Sequence, residues 1–162
     1  MELISVHGLD DEKRTFIWES MYALLKEREP YQSISHKEVP TYIEHYNFMR
    51  NQPYKHWYAI IDNGFIGSIY IGKENNIGLF IKKDQIGKGY GAQALKRIIE
   101  LHPLDYYLAN IAPENSNSIA FFSNFGFKHY KTLMEDLFNE VSGEYINTET
   151  IQYTYKFIPV DQ

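Results

Sequence analysis

The 162-residue chain is 44% hydrophobic and 23% charged, with a formal net charge of −5. That balance describes one globular domain, residues 1–162, large enough to bury a core. No run of Lys or Arg is present, so nucleic acid is not expected as a partner. No Cys is present, which removes disulfides, Cys-based zinc sites and a thiol nucleophile together.

The first residues, Met-Glu-Leu-Ile-Ser-Val, have neither the basic nor the apolar region of a signal peptide. No apolar run approaches membrane-spanning length. The expectation is a cytoplasmic protein with no membrane contact. Aromatics are frequent, with 14 Tyr and 10 Phe, as suits cleft or interface walls.

Residues 2–6 read as a first strand. Asp10 or Asp11 then caps a helix to about Arg28, with Ile17, Met21, Leu24 and Leu25 at helical spacing. A polar loop follows between Pro30 and Pro40. Thr41-Tyr42-Ile43-Glu44 is a capping box, which starts a second helix that runs to about Asn51.

The period then changes from helical to alternating. His56–Ile61 and Phe65–Gly72 are strands joined by Asp62-Asn63-Gly64, a strong hairpin signal. After a turn at Lys73–Asn76, Ile77–Lys82 forms the next strand. A helix over 90–101 ends at His102-Pro103, with Ala92, Leu95, Ile98 and Ile99 on one face. Tyr106–Ile111 is a strand, Asn115–Phe125 a helix ended by Gly126, and Phe127–Leu133 a strand. Residues 134–148 read as an acidic loop with at most one helical turn, and Gln152–Ile158 as the last strand.

The stretch Ile86-Gly87-Lys88-Gly89-Tyr90-Gly91-Ala92 carries the chemistry. Three glycines between a strand and a helix N-terminus let backbone N–H groups approach an anion, with the helix dipole in support. The spacing is G-x-G-x-G and follows antiparallel strands, which argues against a dinucleotide-binding turn. The P-loop pattern is absent. A purely structural glycine turn remains an alternative for the loop alone.

Two motifs together resemble the GNAT superfamily of acyl-CoA-dependent N-acetyltransferases. Ile86-Gly87-Lys88-Gly89-Tyr90-Gly91 lies on that family's motif R/Q-x-x-G-x-G/A. Asn115 to Phe127 matches the Asn, Gly and Phe of its second motif, N-x-x-A-x-x-x-Y-x-x-x-G-F. The resemblance implies an α/β (α+β) fold: a mixed, mainly antiparallel central sheet of about 6–7 strands with helices on both faces.

It also implies acetyl-CoA as co-substrate, with no metal. The loop Ile86, Gly87, Lys88, Gly89, Tyr90, Gly91 and Ala92 would hold the pyrophosphate. Leu79 and Ile81 would flank the pantetheine arm, with Asn110 on the opposite wall of a slot between the fourth and fifth strands. Asn115, Ser118 and Phe122 would meet the arm from the helix, Asn115 serving equally as its N-cap.

The chain departs from the pattern at two places. Ile86 stands where the family has Arg or Gln, with Gln85 one residue early. Phe122 stands where many relatives have a Tyr that protonates the departing thiolate. A thiol pKa near 8.5 makes the thiolate a tolerable leaving group without that acid.

The acceptor implied is a primary amine of a small molecule, an amino sugar or similar, attacking directly in a ternary complex. The alternatives are a protein N-terminus or Lys, or a non-catalytic acyl-CoA-binding module. Glu74 is the nearest match to the family's carboxylate base, although a solvated turn residue is its blander reading; His36, His45, His56 and Asp62 are other candidates. Tyr31, His36, His45 and Tyr58 are expected in the acceptor pocket, with Trp57 close by. The final strand leaves room for a homodimer.

Overall fold

The computed structural model describes residues 1–27, 39–139 and 144–160. The described elements run β1 (Glu2–Ser5), α1 (Asp11–Glu27), α2 (Tyr42–Arg50), β2 (His56–Ile61), β3 (Phe65–Ile71), β4 (Ile77–Ile81), α3 (Tyr90–Leu101), β5 (Tyr107–Ile111), α4 (Ser116–Phe125), β6 (Lys128–Asn139) and β7 (Glu144–Phe157). The mixed fold is the expected one, with seven strands in two antiparallel sheets, ordered β1-β2-β3-β4 and β5-β7-β6.

Local chemistry places the helices. The Asp10 carboxylate accepts the Lys13 N–H at 2.9 Å and opens α1. At α2 both halves of the capping box form: the Thr41 hydroxyl accepts the Glu44 N–H, and the Glu44 carboxylate accepts the Thr41 N–H. In α3 the buried stripe is Ala94, Leu95 and Ile98. Ala92, expected on that stripe, is exposed, because the helix turns it toward the glycine loop rather than the sheet.

The four-stranded sheet is covered on both faces. Trp57 and Ala59 join α1 and α2 in a core with Ile17, Trp18, Met21 and Met49. Ile60, Ile69 and Ile71 join α3 and β5 in a second core with Leu95, Ile98 and Tyr107. The strand period of two assigns successive residues of β2 to opposite cores.

The two sheets touch at one end only. Asn76 bridges Leu108 in parallel, the Leu108 N–H donates to the Asn75 carbonyl at 2.9 Å, and the Asn75 amide donates to the Tyr106 carbonyl at 3.2 Å. Asn75 makes this clasp with a left-handed backbone, φ 65°. Beyond the clasp no ladder joins β4 to β5 among the described residues, so the facing edges of these strands border a slot.

The reading of residues 134–148 as a loop is corrected. β6 continues to Asn139 and β7 begins at Glu144, with Met134 opposite Ile151 and Phe138 opposite Tyr145. Ladder hydrogen bonds from a partner strand override the weak local pattern of this acidic segment. Among the described residues no helix is long and apolar enough to cross a membrane.

Candidate functional site

The glycine loop leaves β4 through a short 3₁₀ turn, Lys83–Gln85, held when the Lys83 N–H donates to the Glu27 carboxylate at 2.8 Å. Gly87 and Gly89 are both left-handed, with φ 85° and 84°, and Gly89 is the N-cap of α3. Gly89 supplies no side-chain cap, so the first-turn amides of α3 lack the partner that Ser, Thr, Asp or Asn would give. Gly91 serves closeness: a Cβ there would lie 3.2 Å from Phe121 and 3.4 Å from Leu79. Gly91 thus lets α3 pack closely on Phe121 and Leu79, while Gly87, with nothing within 4 Å of a Cβ, leaves loop backbone open in a way that suits an anionic group.

Tyr90 fixes the first turn by donating its hydroxyl to Asp62 at 2.7 Å, across to the β2–β3 hairpin. That hydrogen bond, then burial and the carboxylate charge, raise the phenol above its ordinary pKa. Lys88 folds back onto the Gln85 side chain at 3.2 Å and lines neither of the two cavities described next. Ile86 is 61% exposed beside the loop.

A cavity of about 530 Å³ opens on this loop. Its lining includes Leu79, Ile81, Ile86, Gly87, Gly89, Tyr90, Gly91 and Ala92, with Asn115, Ser118 and Phe122 opposite. A second cavity of about 360 Å³ lies between α2 and the sheet. Leu79, Phe80, Asn115, Ser118 and Phe122 line both cavities, so the two are neighbours across one wall.

That shared wall is organised by α4. The Asn115 side-chain oxygen Oδ1 accepts the Ser118 N–H at 3.2 Å, so Asn115 is the N-cap while also lining both cavities. Asn110, on β5, lines the smaller cavity. Its side-chain oxygen accepts the hydroxyl of Thr154, a buried residue of β7, at 3.1 Å, which turns the Asn110 NH₂ away from β7.

The smaller cavity has aromatic walls drawn from α2, the following loop and two strands. Tyr54 and Tyr70 stack with ring centroids 3.6 Å apart and planes within 1°. Trp57 meets Tyr54 edge-on at 4.8 Å, and Phe48 meets Tyr54 at 5.8 Å. The Trp57 indole donates to Ser68 at 2.8 Å, which fixes the ring and leaves neither buried group unpaired. Tyr70 lies against Gly78, its partner across the β3–β4 ladder, at a site where any Cβ would clash with the Cε2–Cζ edge of the ring.

Among the described residues the ionisable groups lining this cavity, besides the two tyrosines, are Glu44 and His45 of α2. Hydrogen bonds from Thr41 hold the Glu44 carboxyl below its ordinary pKa, which makes it a poor proton acceptor. His45 is buried, 6% exposed, with the Tyr22 ring of α1 at 5.3 Å.

Two expected acceptor residues, Tyr31 and His36, lie outside the described residues. Tyr58 lies on the other face of β2, packed toward the second core, with its hydroxyl 2.7 Å from His102 Nε2. The register assigns Trp57 to the cavity instead, one residue before. Glu74 is exposed in the β3–β4 turn and lines neither cavity.

Sequence reasoning missed Phe48, Tyr54, Ser68, Tyr70 and Asn76 as wall residues. A glycine in the middle of β4 was the available signal for an aromatic ring lying across it. Among the described residues no cluster of three or more His, Asp or Glu could hold a metal ion.

Comparisons with known proteins agree on one architecture. The family model described as acetyltransferase (GNAT) family matches residues 18–127. An N-acetyltransferase from Staphylococcus aureus Mu50 superposes with a TM-score of 0.66 at 17% identity, covering 97% of each chain. Spermidine N-acetyltransferase from Vibrio cholerae, in complex with CoA and spermine, gives 0.70 at 14% identity, covering 97% of this chain and 94% of its own. Ribosomal-protein-alanine N-acetyltransferase from Brucella melitensis gives 0.68 at 13% identity, covering 98% of this chain and 100% of its own. At these identities the likeness is one of fold. No curated protein sequence matches the chain.

Proposed function

The chain belongs to the acetyltransferase (GNAT) family and is therefore an acyltransferase, and from that premise we propose that it moves an acetyl group from acetyl-CoA to the primary amine of a small molecule, an amino sugar or similar. The observation that carries the reading is the pair of cavities meeting at Leu79, Phe80, Asn115, Ser118 and Phe122. One cavity suits the donor and the other an acceptor, which is the arrangement a direct transfer needs.

The residues present fit CoA. The loop amides from Ile86 to Gly91 would receive the pyrophosphate, and Gly87, where a Cβ would meet nothing within 4 Å, leaves the approach to the backbone open. The unpaired edge of β4 beyond Asn76 offers backbone groups to the amides of the pantetheine arm. Bound there, acetyl-CoA supplies an activated acyl group whose leaving thiolate needs no acid from Phe122.

The walls favour an amino sugar. The faces of Tyr54, Trp57 and Tyr70 suit the apolar face of a sugar ring, and Ser68, Asn76 and Asn110 offer hydrogen bonds to its hydroxyls. Among the described residues Glu44 is the one carboxylate in the lining. A polyamine carrying several positive charges would call for more.

Thiol release from acetyl-CoA, measured across amino sugars, polyamines and peptides, tests this. Acetyl-CoA at about 100 times its Kd should stabilise the fold by about 2.7 kcal/mol. Release with amino sugars above all others is the expected result. Release confined to peptides or polyamines would reject the acceptor class while leaving the acetyltransferase assignment intact.

A further inference from the structure

We infer that His45 takes the proton from the attacking amine. The inference rests on the amine-acetyltransferase reading above and names the group that completes it. His45 lines the acceptor cavity from α2, in the same lining as Leu79, Asn110 and Phe122, which border the slot. Its burial against Tyr22 holds the imidazole in place, because Tyr22 is itself tied down by donating its hydroxyl to the Pro40 carbonyl at 2.9 Å.

The chemistry of the lining selects this residue. Imidazole is the side-chain type there whose ordinary pKa, about 6.5, lies in the physiological range. Glu44, its chain neighbour, is engaged with Thr41. The phenols of Tyr22, Tyr54 and Tyr70 complete the titratable groups facing this end of the cavity among the described residues. Glu74, the nearest carboxylate to the family's usual base position, lies in an exposed turn outside both cavities.

The step balances without another reactant. The neutral amine nitrogen forms a bond to the acetyl carbon, and the bond from that carbon to the CoA sulfur breaks. The electron pair leaves with sulfur as thiolate. The nitrogen becomes strongly acidic as it bonds to carbon, so a weak base suffices, and its proton passes to His45. A base of this kind contributes about 10²–10⁴ in rate.

The test is the pH dependence of kcat at saturating amine and acetyl-CoA. The wild type should lose kcat tenfold per pH unit below the imidazole pKa. His45→Gln should lower kcat by about 10²–10⁴ and abolish that acid limb, while acetyl-CoA still raises its Tm as in the wild type. Added imidazole should restore part of the activity of His45→Ala. Nuclear magnetic resonance of the His45 ring should show its titration shift when the amine binds.

A folded His45→Gln enzyme that retains the acid limb overturns the proposal. So does a wild-type kcat with no ionisation between about pH 5 and 7.5, whatever the variants do. Either result leaves the acetyltransferase reading standing, since thiol release by the wild type measures that separately.

Discussion

Gly78→Ala tests the acceptor wall most directly. Tyr70 lies across Gly78, and a Cβ at position 78 would clash with the edge of its ring at Cε2 and Cζ. The ring cannot simply lift away, because Tyr54 is stacked on it at 3.6 Å and is backed by Trp57 and Phe48. Gly78 does not have a left-handed backbone, so Ala would by itself gain about 0.4–1 kcal/mol from a less flexible unfolded chain. Overpacking opposes this by about 1–3 kcal/mol, and displacing the aromatic pair costs about 0.5–1.5 kcal/mol more.

The expected net loss is about 1–3 kcal/mol, which lowers Tm by roughly 2–4 °C per kcal/mol in a chain of this size. Amine KM should rise while acetyl-CoA still stabilises the variant, since the ring lies in the smaller cavity. Thermal melts and steady-state kinetics in a double-mutant cycle with Tyr70→Val decide the matter. With the ring gone, Gly78→Ala should become neutral or stabilising, a coupling of about 1–3 kcal/mol. Equal costs in both backgrounds would show that the ring does not depend on the glycine, and the account of the wall would fail.

Asn115→Ala should cost about 0.5–2 kcal/mol through loss of the α4 cap and should weaken acetyl-CoA binding by calorimetry; Asn115→Asp should recover the stability, and an Ala variant as stable as wild type would remove the cap from the account. Gly89→Ala should strain the left-handed N-cap of α3 by about 1–2 kcal/mol and lower acetyl-CoA affinity more than amine affinity, as read by separate binding titrations. Acidification should destabilise the fold near neutrality. Burial lowers the pKa of His56, with Lys55 adding to it, and of His102, with His56 adding to it; burial alone lowers that of His7. Below an unperturbed pKa of about 6.5 the unfolded chain binds these protons first, so stability falls as pH drops from there toward the folded values. Urea midpoints between about pH 7 and 5 measure it, and His102→Asn, which removes one ring of the stacked His56–His102 pair, should flatten the slope.

The amino-acid order alone determined what depends on neighbours a few residues away. The capping box at Thr41–Glu44, the Asn63-Gly64 hairpin, the left-handed glycines before α3 and the Asn115 cap of α4 all form as their local chemistry requires. These elements carry the donor side of the site, which is why the CoA loop was legible. The long-range pairing of β6 with β7 was not, since an acidic segment becomes a strand only when a partner supplies the ladder.

The acceptor side was decided by tertiary structure. Phe48, Tyr54, Trp57 and Tyr70 come from a helix, a loop and two strands, and no spacing in the chain announces that their rings meet. The face of β2 that carries Trp57 rather than Tyr58 into the cavity follows from which side α1 and α2 pack on, and alternation alone cannot say which side that is. Glu74 is the nearest carboxylate to a family position yet stands in an exposed turn, whereas His45, one of several candidates along the chain, is set apart from them only because α2 lays it against the smaller cavity. Backbone conformation is a local property and can be read along the chain; a cavity is a property of surfaces brought together by the fold.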